Sequence, residues 1–98
     1  MMQDLVYDFD PEKSRKLKRE RGISFEEIIH FLDKDHISDV SKHSNTKKYP
    51  HQMICTVNID GYAYMVPFIV KNGKAFLKTI IPSRKATAIY LGSRGEKK

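Results

Sequence analysis

Two dipeptides, Asp60-Gly61 and Asn72-Gly73, restrict this chain more than any other feature. Both tolerate positive φ at successive positions, as a two-residue type I′ hairpin requires, so the segments around them must pair as antiparallel neighbours. Ahead of the first turn, Met53, Cys55, Val57 and Ile59 alternate with Ile54, Thr56 and Asn58, the pattern of a strand with one buried face. Between the turns, Tyr62, Tyr64, Val66, Phe68 and Val70 oppose Ala63, Met65, Pro67 and Ile69. Both sides of that segment are apolar, which predicts a strand inside the sheet. Pro67 cannot donate to a ladder, so a bulge or a locally unpaired edge is expected there. After the second turn a last strand runs through Ile80-Ile81-Pro82-Ser83-Arg84-Lys85 into a short terminal helix.

The earlier part of the chain supplies what can pack on this sheet. Leu5, Tyr7 and Phe9 alternate with Val6, Asp8 and Asp10, a short strand pattern that stops at a helix start: Asp10 as cap, Pro11 at the first helical position. The helix from Pro11 to Arg21 carries Lys13, Arg15, Lys16, Lys18, Arg19 and Arg21 around one large hydrophobe, Leu17. At 100° per residue Leu17 shares a side with Lys13 and Arg21, while Arg15, Lys18 and Arg19 project from the other. Such a face is either solvated, with Glu12 and Glu20 as local partners, or a phosphate-binding surface. Gly22 ends the helix, and Ser24-Phe25-Glu26-Glu27 is a capping box that opens a second helix running to about Asp33. Phe25, Ile28, Ile29 and Leu32 form its apolar stripe, and His30 at the stripe's edge reads as a packed or solvated side chain.

Ile37 to Ser41 reads as a further strand, and residues 42–51 as a polar surface loop. The loop holds cations for phosphates, Tyr49 for stacking and two groups, His43 and His51, that exchange protons near neutral pH. A plain solvated connector has the same composition.

Ninety-eight residues suffice for one domain spanning 1–98 with a single sheet, and leave little room for a large closed cavity. The net charge of +6 favours a polyanion or an acidic protein as partner. Cys55 is the only cysteine, which excludes an internal disulfide, and its mid-strand place predicts a buried, inert thiol. His36, His43 and His51 lack metal-ligand spacing and no second thiol exists, so neither a metal nor a cofactor is expected. No run approaches the ~20 apolar residues of a membrane span and Met1 to Asp10 has no apolar signal core, so the cytoplasm is the expected compartment.

Three phrases, Phe9-Asp10-Pro11-Glu12-Lys13, Arg21-Gly22-Ile23-Ser24-Phe25-Glu26-Glu27 and Ile81-Pro82-Ser83-Arg84-Lys85-Ala86-Thr87, carry a resemblance. From roughly Tyr7 to Leu91 the chain resembles the BrnT toxin family. The resemblance implies an α+β, RelE-like fold: a twisted antiparallel β-sheet with two N-terminal helices packed on it and a short C-terminal helix. It also implies a type II toxin, a ribonuclease that blocks translation, is neutralised by a cognate antitoxin and with it represses its operon. Two positions depart from the family. Glu20-Arg21-Gly22 stands where members often read Lys-His-Gly, and Thr79 where many carry arginine.

Metal-independent RNA cleavage needs a base for the 2′-hydroxyl, positive charge on the pentavalent phosphorane and a partner for the leaving oxygen. The expected cations are Arg84, Lys78 and Arg21. Arg84 and Lys78 share a face if one strand runs unbroken between them, which a bulge at Pro82 would prevent. His43, His51 or a lysine is left as the base. Lys16, Lys18, Arg19, Lys85 and Tyr49 are the residues expected to hold RNA. Basic residues at a strand-to-helix junction also serve merely to solubilise it. The alternative function is a non-catalytic partner that binds the antitoxin and adds charge to operator DNA.

Overall fold

The computed structural model describes residues 6–33 and 35–97, the last six of these by backbone alone. The elements are β1 (Val6–Asp8), α1 (Pro11–Arg21), α2 (Phe25–His30), β2 (Ile37–Lys42), β3 (Gln52–Ile59), β4 (Tyr62–Lys71), β5 (Lys74–Leu77), β6 (Ile81–Pro82) and α3 (Arg84–Lys97). They form an α+β fold on one open six-stranded sheet ordered β1-β5-β4-β3-β2, with β6 beside β4. Both hairpins close as expected, with φ of 53° and 82° at Asp60 and Gly61 and 53° and 76° at Asn72 and Gly73.

The sheet is mixed, which corrects the expectation of an antiparallel one: β1 lies parallel to β5, with Val6 opposite Lys74 and Asp8 opposite Phe76. That direction carries Phe9 over the core, where its ring lies 5.2 Å from Phe25. Leu5 lies outside the described residues. β4 is interior, pairing β3 on one side and β5 and β6 on the other. Pro67 stays in register opposite Ile54, so there is no bulge on the β3 side. On its other side Lys78 N–H donates to the Pro67 carbonyl at 2.8 Å, and proline has no N–H to return. There β5 leaves β4, and β6 takes over at Met65 and Tyr64. Among the described residues the register shift falls instead in β2, between Ile37 and Asp39.

α1 and α2 cover one face. Leu17, Ile23, Phe25, Ile28, Leu32, Cys55, Val57, Val66, Phe68, Ala75, Leu77 and Ile80 make the buried core. Asp10 caps α1 by accepting the Glu12 N–H, Gly22 ends it at φ 78°, and both bonds of the Ser24–Glu27 capping box form. α2 stops at His30, short of the expected Asp33, because the Phe31 N–H turns to the Ile28 carbonyl and tightens the last turn. Leu91 is only half-buried, since α3 lies on the other face and seats chiefly through Ala86. Cys55 is buried, and desolvation with the nearby Asp39 charge pushes its thiol up to about 12, so it stays protonated and inert.

Candidate nucleic-acid interface

Register determines which side chains meet on the second face of the sheet. Residues opposite one another share a face, and successive residues alternate. Met53 packs on the core, so Gln52 and Ile54 point the other way. One row across that face reads Gln52, Ile69, Phe76 and Asp8 from β3 to β1, and the next holds Ser41, Ile54 and Pro67. His43 extends the first row beyond the end of β2, its backbone N–H donating to the Gln52 carbonyl at 2.9 Å.

α3 occupies the opposite half of this face. Thr87 Oγ1 accepts the Ala63 N–H at 2.8 Å, and Ser83 donates its own N–H to the Ala63 carbonyl. Desolvation first, then the nearby Asp39 carboxylate, raises the Tyr90 phenol above the usual range. The half bearing Phe76 is open, with Phe76 at 38% exposure beside half-buried Ile69. A hollow of about 540 Å³ lies there, lined by Asp8, Ile69, Lys71, Asn72, Lys74 and Phe76.

The residues nominated from sequence do not converge on one point. Arg84 is the first residue of α3, exposed, next to the Ala63 end of β4. His43 and His51 belong to the loop at the Ile69 end. Six residues of strand separate Ala63 from Ile69, or ~20 Å at 3.3 Å per residue. Lys78 lies between β5 and β6 rather than on a strand shared with Arg84, which corrects the expected parity. Its ammonium sits over the Phe76 ring, 5.5 Å from the centroid. Arg21 donates to the Ile80 carbonyl and so ties α1 to the segment that carries Lys78.

Lys18 is engaged within the protein, 2.7 Å from Glu27 and within reach of the Gly22 carbonyl. Lys16 and Arg19 line a groove of about 420 Å³ with Lys13, Arg21 and Thr79, where Asp10, Glu12 and Glu20 bring opposing charge. Lys85 borders the seat of α3 with Met65, Ile89 and Tyr90.

In the loop, His43 is the histidine whose surroundings are defined. His43 lies opposite Gln52, the residue after His51, and Tyr49 stacks on His43 with centroids 4.4 Å apart. Asn45 N–H donates to His43 Nδ1 at 3.0 Å; a backbone amide only donates, so the neutral ring carries its hydrogen on Nε2. Lys48 lies 5.5 Å from the Tyr49 ring. Asn45 also accepts the Lys48 N–H and, through its carbonyl, that of Tyr49, which shapes the loop.

Sequence reasoning passed over Phe76 and Ser14. Phe76 was legible in the alternation of Lys74, Phe76 and Lys78 against Ala75 and Leu77, whereas Ser14 on a basic helix carried no signal. The fold and this face define a small α+β domain with a cationic, ring-bearing sheet surface. No protein-family model, curated protein or solved structure matches the chain. Among the described residues no helix is long and apolar enough to cross a membrane, and no three His, Cys, Asp or Glu side chains group to hold a metal.

Proposed function

We propose that this chain is the toxin of a type II toxin-antitoxin pair, a RelE-like, metal-independent ribonuclease that blocks translation in the cytoplasm and is neutralised by a cognate antitoxin. The observation that carries the reading is the loop at the end of the open face, where the β2–β3 register sets His43 opposite Gln52, the residue after His51, and where Tyr49 packs on His43 with Lys48 beside its ring. In this reading His51 takes the proton of the 2′-hydroxyl. His43, whose Nδ1 accepts the Asn45 N–H, offers its Nε2–H as a hydrogen bond to the leaving oxygen, which takes its proton from water. Lys48 stabilises the dianionic transition state more than the monoanionic substrate. Arg84, ~20 Å away along β4, cannot touch the same phosphate.

The test is the purified chain on structured and single-stranded RNA and on translating ribosomes, with a chelator present and the product ends analysed. A 2′,3′-cyclic phosphate is expected. His43→Ala and His51→Ala should each slow cleavage by ~100-fold or more, with Arg84→Ala within a few-fold of wild type. If Arg84→Ala abolishes cleavage and the histidine variants do not, the chemistry belongs at the start of α3. The scatter of the nominated cations favours a second reading, a non-catalytic partner that binds the antitoxin and adds charge to operator DNA. It replaces the first if no RNA is cut.

A further inference from the structure

We infer that the open half of the sheet binds single-stranded RNA by stacking bases on two rings, Phe76 and Tyr49, each with a lysine beside it to take a neighbouring phosphate. The inference rests on the RNA-directed reading above and adds the substrate's form and the residues that select it. The two platforms are built alike, Lys78 over Phe76 and Lys48 over Tyr49, each 5.5 Å from ring to ammonium. Phe76 ends the row through Gln52 and Ile69 on one side and His43, on which Tyr49 packs, ends it on the other, with three strand spacings or ~14 Å between His43 and Phe76 along the sheet. Between them the floor is apolar and polar by turns, Ile69 and Gln52, with no charge to repel a strand lying across it.

An exposed contact between a lysine and a ring is weaker than a base stacked on that ring, so an arriving base displaces the ammonium, which the flexible stem lets swing onto phosphate. The hollow beside Phe76 selects further. Lys71 and Lys74 flank it, while the Asp8 carboxylate, which accepts the Phe9 N–H at 2.9 Å, faces the same space. That carboxylate disfavours a phosphate in the hollow and accepts from an exocyclic amino group, so the base enters and the backbone stays at the lysines. Duplex RNA does not fit, because its bases are stacked on one another and its major groove is too deep and narrow for these side chains.

Binding is measured by fluorescence anisotropy with a mixed-sequence strand of about eight nucleotides, a typical footprint for a stacking surface. The strand is 2′-O-methylated throughout, so it cannot be cut. An abasic strand of equal length and the corresponding duplex are the comparators. The abasic strand and the duplex should each bind at least ~10-fold more weakly than the intact strand. Phe76→Ala and Tyr49→Ala should each weaken the intact strand by ~10-fold and leave the abasic strand unchanged. Phe76→Tyr should restore affinity, and Phe76→Leu, which keeps the strand's apolar character, should lose it like the alanine variant. Equal affinity for intact and abasic strands, or variants that weaken both alike, overturns stacking and leaves a surface of charge alone. Capture of an acidic protein in place of any nucleic acid overturns it too. Because the methylated strand is inert, stacking on a chain that cleaves nothing upholds this inference while the ribonuclease reading falls. Cleavage with no preference for bases does the reverse.

Discussion

Ser14 illustrates how a polar residue becomes structural. It is 1% exposed; its hydroxyl donates to Glu26 Oε1 at 2.6 Å and accepts the Phe25 N–H at 2.9 Å. Phe25 begins α2, so that N–H has no partner within its own helix and would otherwise be buried unpaired. Ser14→Ala is expected to cost ~1–3 kcal/mol, the penalty for an orphaned buried donor, and to lower the melting temperature by several degrees. Glu26→Gln should cost less, since the amide oxygen still accepts from Ser14. Equal losses would assign the effect to the charge on Glu26. Thermal unfolding of the two variants beside wild type decides it.

Among the elements, α2 is the shortest helix and the one most dependent on its cap. Ser24 N–H donates to Glu27 Oε1 at 2.8 Å, Glu27 N–H returns to Ser24 Oγ at 3.2 Å, and Lys18 reaches Glu27 Oε2 from α1. The Lys18 hydrogen bond first, then the Ser24 N–H, holds the Glu27 carboxyl below the usual carboxylate range. A carboxyl lowered in the folded state adds stability above its unfolded pKa of ~4.3 and loses it as pH falls through the folded value. Glu27→Gln should therefore destabilise the protein near neutral pH and differ little from wild type in strong acid. The pair is half-exposed, which keeps the effect to ~1 kcal/mol or less. Melting curves from about pH 7 down to pH 2 test this. A deficit that persists unchanged in acid would mean the side chain acts by packing.

The molecule as a whole has one sheet face sealed by α1 and α2 and the other divided between α3 and open surface. A basic chain with a net charge of +6 and an apolar floor on that surface is suited to an antitoxin segment that combines acidic residues with apolar anchors. Co-expression with the product of the neighbouring open reading frame should yield a stable complex that no longer binds single-stranded RNA. Gel filtration and the anisotropy assay read the two halves of that expectation. A complex that still binds RNA would place the antitoxin elsewhere, with α3 or α1 as the next surface to test, and no complex at low salt would remove the toxin reading's main support.

Both hairpins, the bounds of α1, the Gly22 terminus and the capping box were legible in the sequence, because each depends on a few adjacent residues with special backbone freedom or a local hydrogen bond. The core stripe of α2 and the interior place of β4 were legible for a related reason, since periodicity reports burial directly. The parallel seat of β1, the break between β5 and β6 and the separation of Arg84 from the histidines were not. Those depend on which distant edges meet: Pro67, in one line of text an irregularity, becomes the point where β4 exchanges partners, because it accepts from Lys78 but has no N–H to return, and β6 pairs from Met65 onward. The candidate site followed the same division. Its histidines, tyrosine and lysines could be named one by one, but only the β2–β3 register set His43 at the end of the open row, opposite Gln52, and only the position of α3 left Phe76 uncovered.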